Sequence, residues 1–358
     1  MDIYKIWFIV NPISGTTNKD NIIKRIADFF PEDEFATKVV YTEYAGHAAE
    51  IAREAVKEKV DIAVAVGGDG TVNEIARELV HSCVALGIVP CGSGNGLARH
   101  LGLPMNPDGA LQVISECNIH CLDYGLINGS PFFCTAGVGF DAFLSDKFNK
   151  SGRRGLLSYV ENALVEGLKY EPETYELELL GEEEEKHTYT AFLITCANAS
   201  QYGNDFYIAP HASMSDGLLD VTIMEPFTVF EAPQIAFQLV HRTIGNNSRI
   251  KTFRCKGLTI RRVASGVIHV DGDPKEETAN VHVSLEHRGI RMVINANKVE
   301  WQPPLLKMFS DIYNGVSAPF REAPQKIHRI NNGLINKLRR VDCDKKDDLN
   351  RTEDDTIS

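Results

Sequence analysis

Three short loops of glycine and polar residues each follow an apolar run of the sequence. They read NPISGTT (11–17), GGDGT (67–71) and CGSGNG (91–96). Glycine allows backbone N–H groups to come close to a polyphosphate, and the start of the following helix favours negative charge. Neither GxxxxGK[ST] nor a GxGxxG followed by a suitable acidic residue is present, which excludes the P-loop and dinucleotide-binding patterns. The three loops together predict a nucleotide cradle of another type.

A carboxylate, that of Asp69, lies inside the second of these loops. An acid next to phosphates would repel them unless a cation lies between or the acid removes a proton. Asp69 therefore indicates Mg²⁺-supported phosphoryl transfer, in which positioning and charge neutralisation provide most of the catalysis. A structural interpretation is also open, because Thr71 and Glu74 have the T-x-x-E spacing of a capping box that starts a helix.

The elements that must position these loops alternate between apolar strands and amphipathic helices. The predicted strands cover residues 5–10, 37–42, 61–66 and 85–90, and the predicted helices lie near 19–30, 46–58, 73–80, 96–101 and 107–116. This order is typical of a parallel sheet covered by helices. In such an open sheet, the loops at the carboxyl ends of the strands meet over one crevice, where ligands bind.

After about residue 120 the pattern becomes rich in β-structure. Asn128-Gly129 is a two-residue hairpin signal, and short apolar runs such as YELELL, TAFLITCA, LLDVTIM and GVIHVDG follow it. We expect a largely antiparallel second half with helices near 153–169 and 228–242. The acidic stretch 181–186 is interpreted as a solvated turn.

Composition restricts the class of partner and the compartment. The 358 residues carry a formal net charge of −12, which argues against a broad basic surface for nucleic acid. The eight cysteines form no CxxC pair, and we interpret them as reduced thiols of a cytoplasmic protein. The apolar run at the start is too short for a membrane span and lacks a signal-peptide pattern.

Six motifs then occur in one order along the chain: NPISG, GGDGTVNE, GSGNGLARHLGLP, GVGFDA, DGLLDV and VDGDP. In these motifs, over about residues 5 to 300, the chain resembles the diacylglycerol kinase catalytic-domain family. That family is shared by bacterial soluble lipid kinases, sphingosine kinases and ceramide kinases. The resemblance implies an N-terminal α/β nucleotide domain, a C-terminal antiparallel β-sandwich, and a lipid headgroup that enters the cleft between them.

The resemblance also implies which residues bind ATP and which act in catalysis. Position by position, the ATP site would comprise Asn11, Pro12, Ser14, Gly15, Thr42, Gly67, Gly68, Asp69, Gly70, Thr71, Asn73, Glu74, Gly92, Ser93 and Asn95. Asp271 matches the family's proposed general base, which takes the proton of the lipid hydroxyl as the γ-phosphate is transferred. Asp69 and Asp273 complete the predicted catalytic set, with Asp273 in place of the family's usual glutamate.

Two further sites follow from the resemblance. A structural Mg²⁺ site of bacterial members corresponds to Ser213, Asp216 and Leu218, where carbonyl oxygens and one carboxylate would be the ligands; the alternative is a simple turn before a strand. Asp141 lies where the family's acceptor pocket begins and would hold a sphingoid amine or a glycerol hydroxyl, unless it caps the helix that follows.

The resemblance and the sequence pattern together suggest three regions. Residues 1–120, completed by 296–320, would form the ATP-binding domain, residues 121–295 the lipid-substrate sandwich, and residues 321–358 an amphipathic helix with an acidic disordered tail. Segment 325–340 has the apolar face and basic residues of an interfacial helix, although a terminal helix docked on its own domain has the same periodicity. We expect a peripherally membrane-associated protein and leave a homodimer open.

The resulting prediction is an ATP- and Mg²⁺-dependent lipid kinase that converts diacylglycerol to phosphatidic acid. The nearest alternative is a sphingosine or ceramide kinase, because the GSGNG loop is closer to theirs than to the GTxND loop of bacterial diacylglycerol kinases. NAD kinase shares the GGDGT loop but fits the other motifs less well. A nucleotide-binding regulator without catalysis is disfavoured, because it would have no chemical need for both Asp69 and Asp271.

Overall fold

The computed structural model describes residues 3–15, 18–151, 167, 170–180 and 186–297. The predicted helix at 153–169 and the predicted turn at 181–186 lie largely outside these residues. The same holds for the segment 296–320, and the region 321–358 lies wholly outside. The domain boundaries and the amphipathic helix at 325–340 therefore stay predictions.

The first half of the chain alternates strands and helices as the sequence predicts. Its strands are β1 (Tyr4–Val10), β2 (Phe35–Tyr41), β3 (Ile62–Gly67) and β4 (Ala85–Pro90). Its helices are α1 (Lys19–Phe29), α2 (His47–Lys57), α3 (Asp69–Leu79), α4 (Gly96–His100) and α5 (Pro107–Ser115). The strands pair in parallel in the order β2-β1-β3-β4. Strands β3 and β4 are buried along their whole length, as expected of central strands covered on both faces.

The second half is mainly antiparallel. Its strands are β5 (Ile119–Ile127), β6 (Ser130–Phe132), β7 (Thr135–Gly139), β8 (Glu173–Leu179), β9 (Lys186–Ala191), β10 (Leu193–Ala197), β11 (Leu219–Met224), β12 (Ile250–Cys255), β13 (Gly257–Arg261), β14 (Gly266–Val270), β15 (Asp273–Glu277) and β16 (Asn280–Val293). Helix α6 (Phe140–Ser151) precedes the predicted helix at 153–169, and α7 (Ala232–Val240) is shorter than the predicted 228–242. A 3₁₀ turn covers Ile244–Asn246.

Two sheets face each other in this half. The order β12-β11-β10-β7-β14-β15 forms one sheet, and β16, β13, β8 and β9 continue the sheet of the first half. Their shared core contains Tyr175 and Ile260 from the extended sheet and Ile194 and Ile268 from the other. This arrangement confirms the predicted α/β plus β-sandwich architecture, with one difference: the first sheet is mixed rather than purely parallel.

Strand β16 makes that difference, because it belongs to both halves. Near its end, Arg291 and Met292 pair in parallel with β4 on one side and antiparallel with β5 on the other, and the start of the strand pairs antiparallel with β13. The register shifts between Glu286 and Ile290. The fully buried Asp123 carboxylate accepts the Arg288 amide at 2.7 Å and contacts His287 at 2.8 Å, so it holds the bulge that redirects the strand.

Two hairpins have the sequence signature of a type I′ turn. Asn128 and Gly129, with φ of 45° and 76°, join β5 to β6 and confirm the predicted hairpin. Asp271 and Gly272, with φ of 52° and 88°, join β14 to β15. The Asp-Gly pair of the VDGDP motif therefore positions the predicted base in a tight turn at the end of a strand.

Candidate active site

The NPISG loop follows β1 and is fixed to helix α3. The Asn11 side-chain amide donates to Thr71 Oγ1 at 2.9 Å, and its oxygen accepts the Ile13 amide at 3.2 Å. Gly15 has a φ of +58°, and a Cβ there would collide with the Cys91 carbonyl of the third loop. Only glycine therefore allows the first and third loops to pack this closely.

The GGDGT segment begins helix α3 without a side-chain cap. Gly68 is the N-cap residue and makes no side-chain capping bond, so the capping-box interpretation of Thr71 and Glu74 is wrong. Thr71 instead accepts from Asn11, and Glu74 accepts the Gly46 amide at 3.2 Å. Both side chains connect loops at the carboxyl edge of the sheet, because Gly46 precedes α2 and Asn11 follows β1.

The Asp69 carboxylate fixes the CGSGNG loop. Its two oxygens accept the backbone amides of Asn95 and Gly96, both at 2.8 Å. A Cβ at Gly94 would lie 2.9 Å from Asp69 Oδ2, so the loop closes tightly around the acid. Asn95 has a φ of 51° and exchanges two hydrogen bonds with the backbone of Gly92, at 2.8 and 2.9 Å.

The remaining predicted nucleotide residues lie along the same edge. Thr42 follows β2, and its backbone amide donates to the Val10 carbonyl at 2.9 Å. The Ser14 hydroxyl donates to the Asn11 carbonyl at 3.0 Å. Pro12, Gly70 and Ser93 are exposed. Gly67 ends β3, buried against Thr71. The structure thus brings the three predicted loops together at one edge of the first sheet.

Asp271 links the second half of the chain to this edge. Its carboxylate accepts the backbone amides of Phe133 (2.8 Å), Cys134 (2.7 Å) and Thr135 (3.0 Å). It also accepts the Asn73 side-chain amide, 2.6 Å away on helix α3. Of these four donors, Asn73 is the only one that comes from the nucleotide half and the only one on a side chain.

Burial and charge act on Asp271 in opposite directions. Burial raises the pKa of the Asp271 carboxyl above its usual value, while the three amides and the Arg77 guanidinium lower it. The pKa of Asp273 is also raised by burial, with Arg77 lowering it and Asp69 raising it. Arg77 therefore lies close enough to influence both acids of the VDGDP turn.

Asp141 lies in a buried polar cluster rather than on an open pocket wall. Its Oδ2 accepts from Thr195 (2.7 Å) and Tyr202 (3.0 Å) and lies 2.9 Å from His269 Nε2, and its Oδ1 accepts the Ala142 amide. The residue is 6% exposed. The predicted helix-capping alternative accounts for only the Ala142 bond, because Asp141 is the second residue of α6.

The predicted Mg²⁺ residues, Ser213, Asp216 and Leu218, lie in the turn before β11. Asp216 accepts the Leu218 amide at 3.2 Å, and its other oxygen lies 3.7 Å from Arg254. Backbone carbonyls were the other predicted ligands, so the metal site stays a prediction. Ser213 pairs with Ser215 at 3.2 Å. Among the described residues no group of three or more acidic, histidine or cysteine side chains could hold a metal.

Three residues that the sequence argument did not select lie at this site. Lys19, buried at the start of α1, donates to the Ser14 carbonyl of the NPISG loop. Arg77 follows Asp69 and Asn73 at intervals of four on α3, which places the three on one helix face. His269 lies on β14, two residues before Asp271 in the turn that follows the strand. The helical spacing of Arg77 was a usable signal, whereas the contact of His269 with Asp141 depends on tertiary packing.

Known proteins match the chain in both halves. The sequence profile described as the diacylglycerol kinase catalytic domain matches residues 5–127, and the one described as the YegS C-terminal NAD kinase beta sandwich-like domain matches residues 134–294. The chain belongs to the diacylglycerol kinase catalytic-domain family. The resemblance inferred from the six motifs is therefore confirmed.

Individual relatives of this family cover different shares of the chain. A diacylglycerol kinase of Mycobacterium tuberculosis is 34% identical over 188 residues, 51% of this chain and 60% of that protein. A diacylglycerol kinase of Bacillus subtilis is 26% identical over 297 residues, which make up 82% of this chain and 97% of that protein. A solved diacylglycerol kinase structure from Bacillus anthracis covers 84% of this chain and 100% of its own, with 20% identity and a TM-score of 0.67, and it supports the fold. The chain spans only 58% to 60% of the length of several curated relatives that it matches.

Proposed function

We propose that this protein is an ATP-dependent lipid kinase that transfers the γ-phosphate to the hydroxyl of diacylglycerol, which yields phosphatidic acid. The observation that carries the proposal is the 2.6 Å contact between Asp271 and Asn73. It places a buried carboxylate of the sandwich beside the helix that begins in the GGDGT loop. Family membership supports a kinase with a hydroxyl acceptor.

In this proposal Asp271 is the general base. The three amides of residues 133–135 hold the carboxylate in one orientation, and the acceptor hydroxyl displaces the Asn73 amide from Oδ2. The hydroxyl proton passes to Asp271 as the acceptor oxygen bonds to the γ-phosphorus and the bond to the β–γ bridging oxygen breaks, which releases ADP.

The glycine loops of this chain would bind and orient the nucleotide. Lys19 contacts the NPISG loop and Arg77 lies near Asp271 and Asp273, so in this proposal the two cations would reduce the repulsion between the phosphates and the acids. Mg²⁺ would enter with ATP as part of the MgATP substrate and would neutralise part of the phosphate charge. Asp69 positions the CGSGNG loop through its two backbone amides, a role that requires no direct contact with the nucleotide.

The Asp141 cluster favours an uncharged acceptor. A sphingoid amine would need an accessible carboxylate, but Asp141 is buried and already contacts Thr195, Tyr202 and His269. Diacylglycerol carries no such amine. We further propose that the protein meets this acceptor at a membrane surface, with the segment 325–340 as one contributor.

The test is transfer of labelled γ-phosphate from MgATP to a panel of diacylglycerol, monoacylglycerol, sphingosine, ceramide and NAD, with the lipids in mixed micelles. We expect labelled phosphatidic acid and little labelled sphingosine. Labelling of NAD alone, or ATP binding without transfer to any acceptor, would contradict the proposal.

A further inference from the structure

A turn of the second half, residues 200–206, packs on the CGSGNG loop, and we name it the docking turn. At its tip, Asn204 and Asp205 have φ of 50° and 62°, and the Phe206 amide donates to the Gly203 carbonyl at 3.0 Å. Two central residues with positive φ and a bond of this kind describe a type I′ turn, for which Asn and Asp are well suited. The docking turn is therefore closed by its own hydrogen bond.

The docking turn approaches the CGSGNG loop backbone to backbone. The Asn204 amide donates to the Gly94 carbonyl at 3.2 Å, and a Cβ at Gly203 would lie 3.0 Å from the Gly94 Cα. A Cβ at Gly96 would lie 3.1 Å from the Tyr202 carbonyl oxygen. Because both distances are too short for an ordinary side chain, the glycines are what allow the two segments to touch.

Side chains of helix α4 complete this contact. Arg99 donates through Nε to the Gly94 carbonyl at 3.1 Å and pairs through Nη1 with Asp205 at 3.0 Å. The Ser200 amide and the Ser200 hydroxyl both lie 3.1 Å from His100 Nδ1, and Ser200 and His100 are buried. The docking turn is thus held to α4, which begins at the end of the CGSGNG loop.

Tyr202 connects the docking turn to the buried acid of the second half. Its hydroxyl donates to Asp141 Oδ2 at 3.0 Å and lies 2.7 Å from Thr195 Oγ1. Asp141 Oδ2 also lies 2.9 Å from His269 Nε2, and His269 is part of β14, the strand that leads into Asp271. Tyr202 therefore contacts the CGSGNG loop with its backbone and, through Asp141, strand β14 with its side chain.

The two acids of the proposed reaction stand at opposite ends of this set of contacts. At one end, Asp69 accepts the Gly96 amide at 2.8 Å, and Gly96 lies against Tyr202. At the other end, the Asp141 cluster contacts the strand that leads into Asp271. Phosphoryl transfer needs the γ-phosphate and the acceptor oxygen in line, and a misplacement of about 1 Å costs about 10²-fold in rate. A residue that joins the two ends can therefore affect kcat without touching either substrate.

We propose that Tyr202 is a positioning residue for phosphoryl transfer. Through the docking turn and Asp141, it fixes the CGSGNG loop relative to the strand that leads into the base. The contact of Asn73 with Asp271 gives way to the acceptor in the proposed reaction, whereas the contacts of Tyr202 stay in place. The positioning role rests on the proposed kinase function, but the attachment of the loop through Tyr202 does not.

The first experiment compares Tyr202→Phe with Tyr207→Phe in the transfer of labelled γ-phosphate from MgATP to a water-soluble short-chain diacylglycerol. Each change removes one hydroxyl that donates to a carboxylate at 3.0 Å, that of Asp141 for Tyr202 and that of Asp205 for Tyr207. Tyr202→Phe should lower kcat at least about tenfold and leave KM for both substrates within about twofold of wild type. Tyr207→Phe should keep the wild-type kcat.

The soluble acceptor makes this comparison independent of how the protein meets a membrane. Among the residues that the structure describes, no helix is long and apolar enough to cross one. Unchanged kcat in Tyr202→Phe, an equal loss of kcat in Tyr207→Phe, or a loss confined to KM would overturn the proposal. A lower midpoint of thermal unfolding with unchanged kcat would give Tyr202 a structural role only, which also overturns it.

A double variant tests whether the contacts of the docking turn act as a unit. Arg99→Met removes another side-chain link between the CGSGNG loop and the docking turn and should also lower kcat. If both links serve one positioning function, Arg99→Met with Tyr202→Phe should lose less in kcat than the product of the two single losses. Multiplicative losses would contradict a shared function.

Hydrogen–deuterium exchange separates this proposal from the proposed function, because it needs no catalysis. In Tyr202→Phe, the amides of residues 92–100 should exchange at least about threefold faster than in wild type and in Tyr207→Phe. Unchanged exchange would contradict the attachment of the loop through Tyr202. Wild type that labels no acceptor would contradict the kinase function and the positioning role with it, and the exchange rates would still decide the attachment.

Discussion

Asp69 in the nucleotide half and Asp271 in the sandwich are both held by backbone amides, yet their environments differ. The partners of Asp69 are two amides of the neighbouring loop, at Asn95 and Gly96. Those of Asp271 are three amides of its own half and the Asn73 side chain of the other. A side chain can move aside for a substrate more readily than a backbone amide inside a packed loop.

This difference fits separate roles for the two acids in the proposed reaction. Asp69 would shape the nucleotide cradle, and Asp271 would take the proton of the acceptor hydroxyl. A conservative carboxylate-to-amide exchange should therefore have different consequences at the two positions.

The largest effect is expected for Asp271→Asn. An amide cannot accept the proton of the acceptor hydroxyl, so kcat should fall by about 10²- to 10⁴-fold, the usual contribution of general base catalysis. The measurement is phosphorylation of diacylglycerol in mixed micelles at saturating MgATP. A variant with more than half of the wild-type rate would remove Asp271 from the reaction.

The exchange at the other acid, Asp69→Asn, should act through the loop. The new NH₂ group faces one of the two amides and leaves it without an acceptor, which costs about 1–3 kcal/mol. We expect a lower midpoint of thermal unfolding, with Ser93→Ala on the exposed part of the same loop as the control. Equal midpoints for Asp69→Asn and wild type would argue that the two hydrogen bonds contribute nothing to the fold.

Removal of the cation beside Asp271 should change the pH dependence. Arg77 lowers the pKa of Asp271 and Asp273, so Arg77→Met should raise both. The base is active when ionised, and activity is lost as the pH falls through its pKa. The acidic limb of the kcat/KM profile should therefore move to higher pH.

The control for that shift is Arg53→Met, which removes a surface arginine that pairs with Glu78 on the same helix as Arg77. Its profile should match that of wild type. A shift to lower pH in Arg77→Met would show that the guanidinium does not stabilise the ionised base.

The smallest effect concerns the Asp141 cluster. Thr195→Val removes the hydroxyl that lies 2.7 Å from Asp141, whereas Thr222→Val removes a buried bond to the Ile208 carbonyl at 3.0 Å. Bonds to charged groups contribute about 1.5–3 kcal/mol and neutral ones about 0.5–1.5. Urea unfolding should therefore show the larger loss for Thr195→Val, and the reverse order would contradict a structural role for Asp141.

The sequence predicted most of the first half because its signals are local. Central strands such as β3 and β4 are continuous apolar runs, and the glycine loops between strands and helices placed the cradle at the carboxyl edge. The Asn128-Gly129 hairpin had an equally local signal. The position of β16 in the sheet of the first half had no local signal, because its pairing with β4 joins residues that are far apart in the chain.

The site shows the same division between local and tertiary information. Its motifs predicted which residues gather, but not the direction of each side chain. The Asp69 carboxylate turns toward Asn95 and Gly96 because Asn95 adopts a left-handed conformation, and nothing next to Asp69 in the sequence indicates this. The contact of His269 with Asp141 likewise requires β14 to lie beside α6.

The most direct test of the separate roles is a calorimetric measurement of MgATP affinity for Asp69→Asn and Asp271→Asn side by side. The account predicts that Asp271→Asn binds MgATP with a Kd within about twofold of wild type, while Asp69→Asn binds at least about tenfold more weakly, a difference of about 1.4 kcal/mol. Weakened binding in Asp271→Asn together with unchanged binding in Asp69→Asn would contradict it.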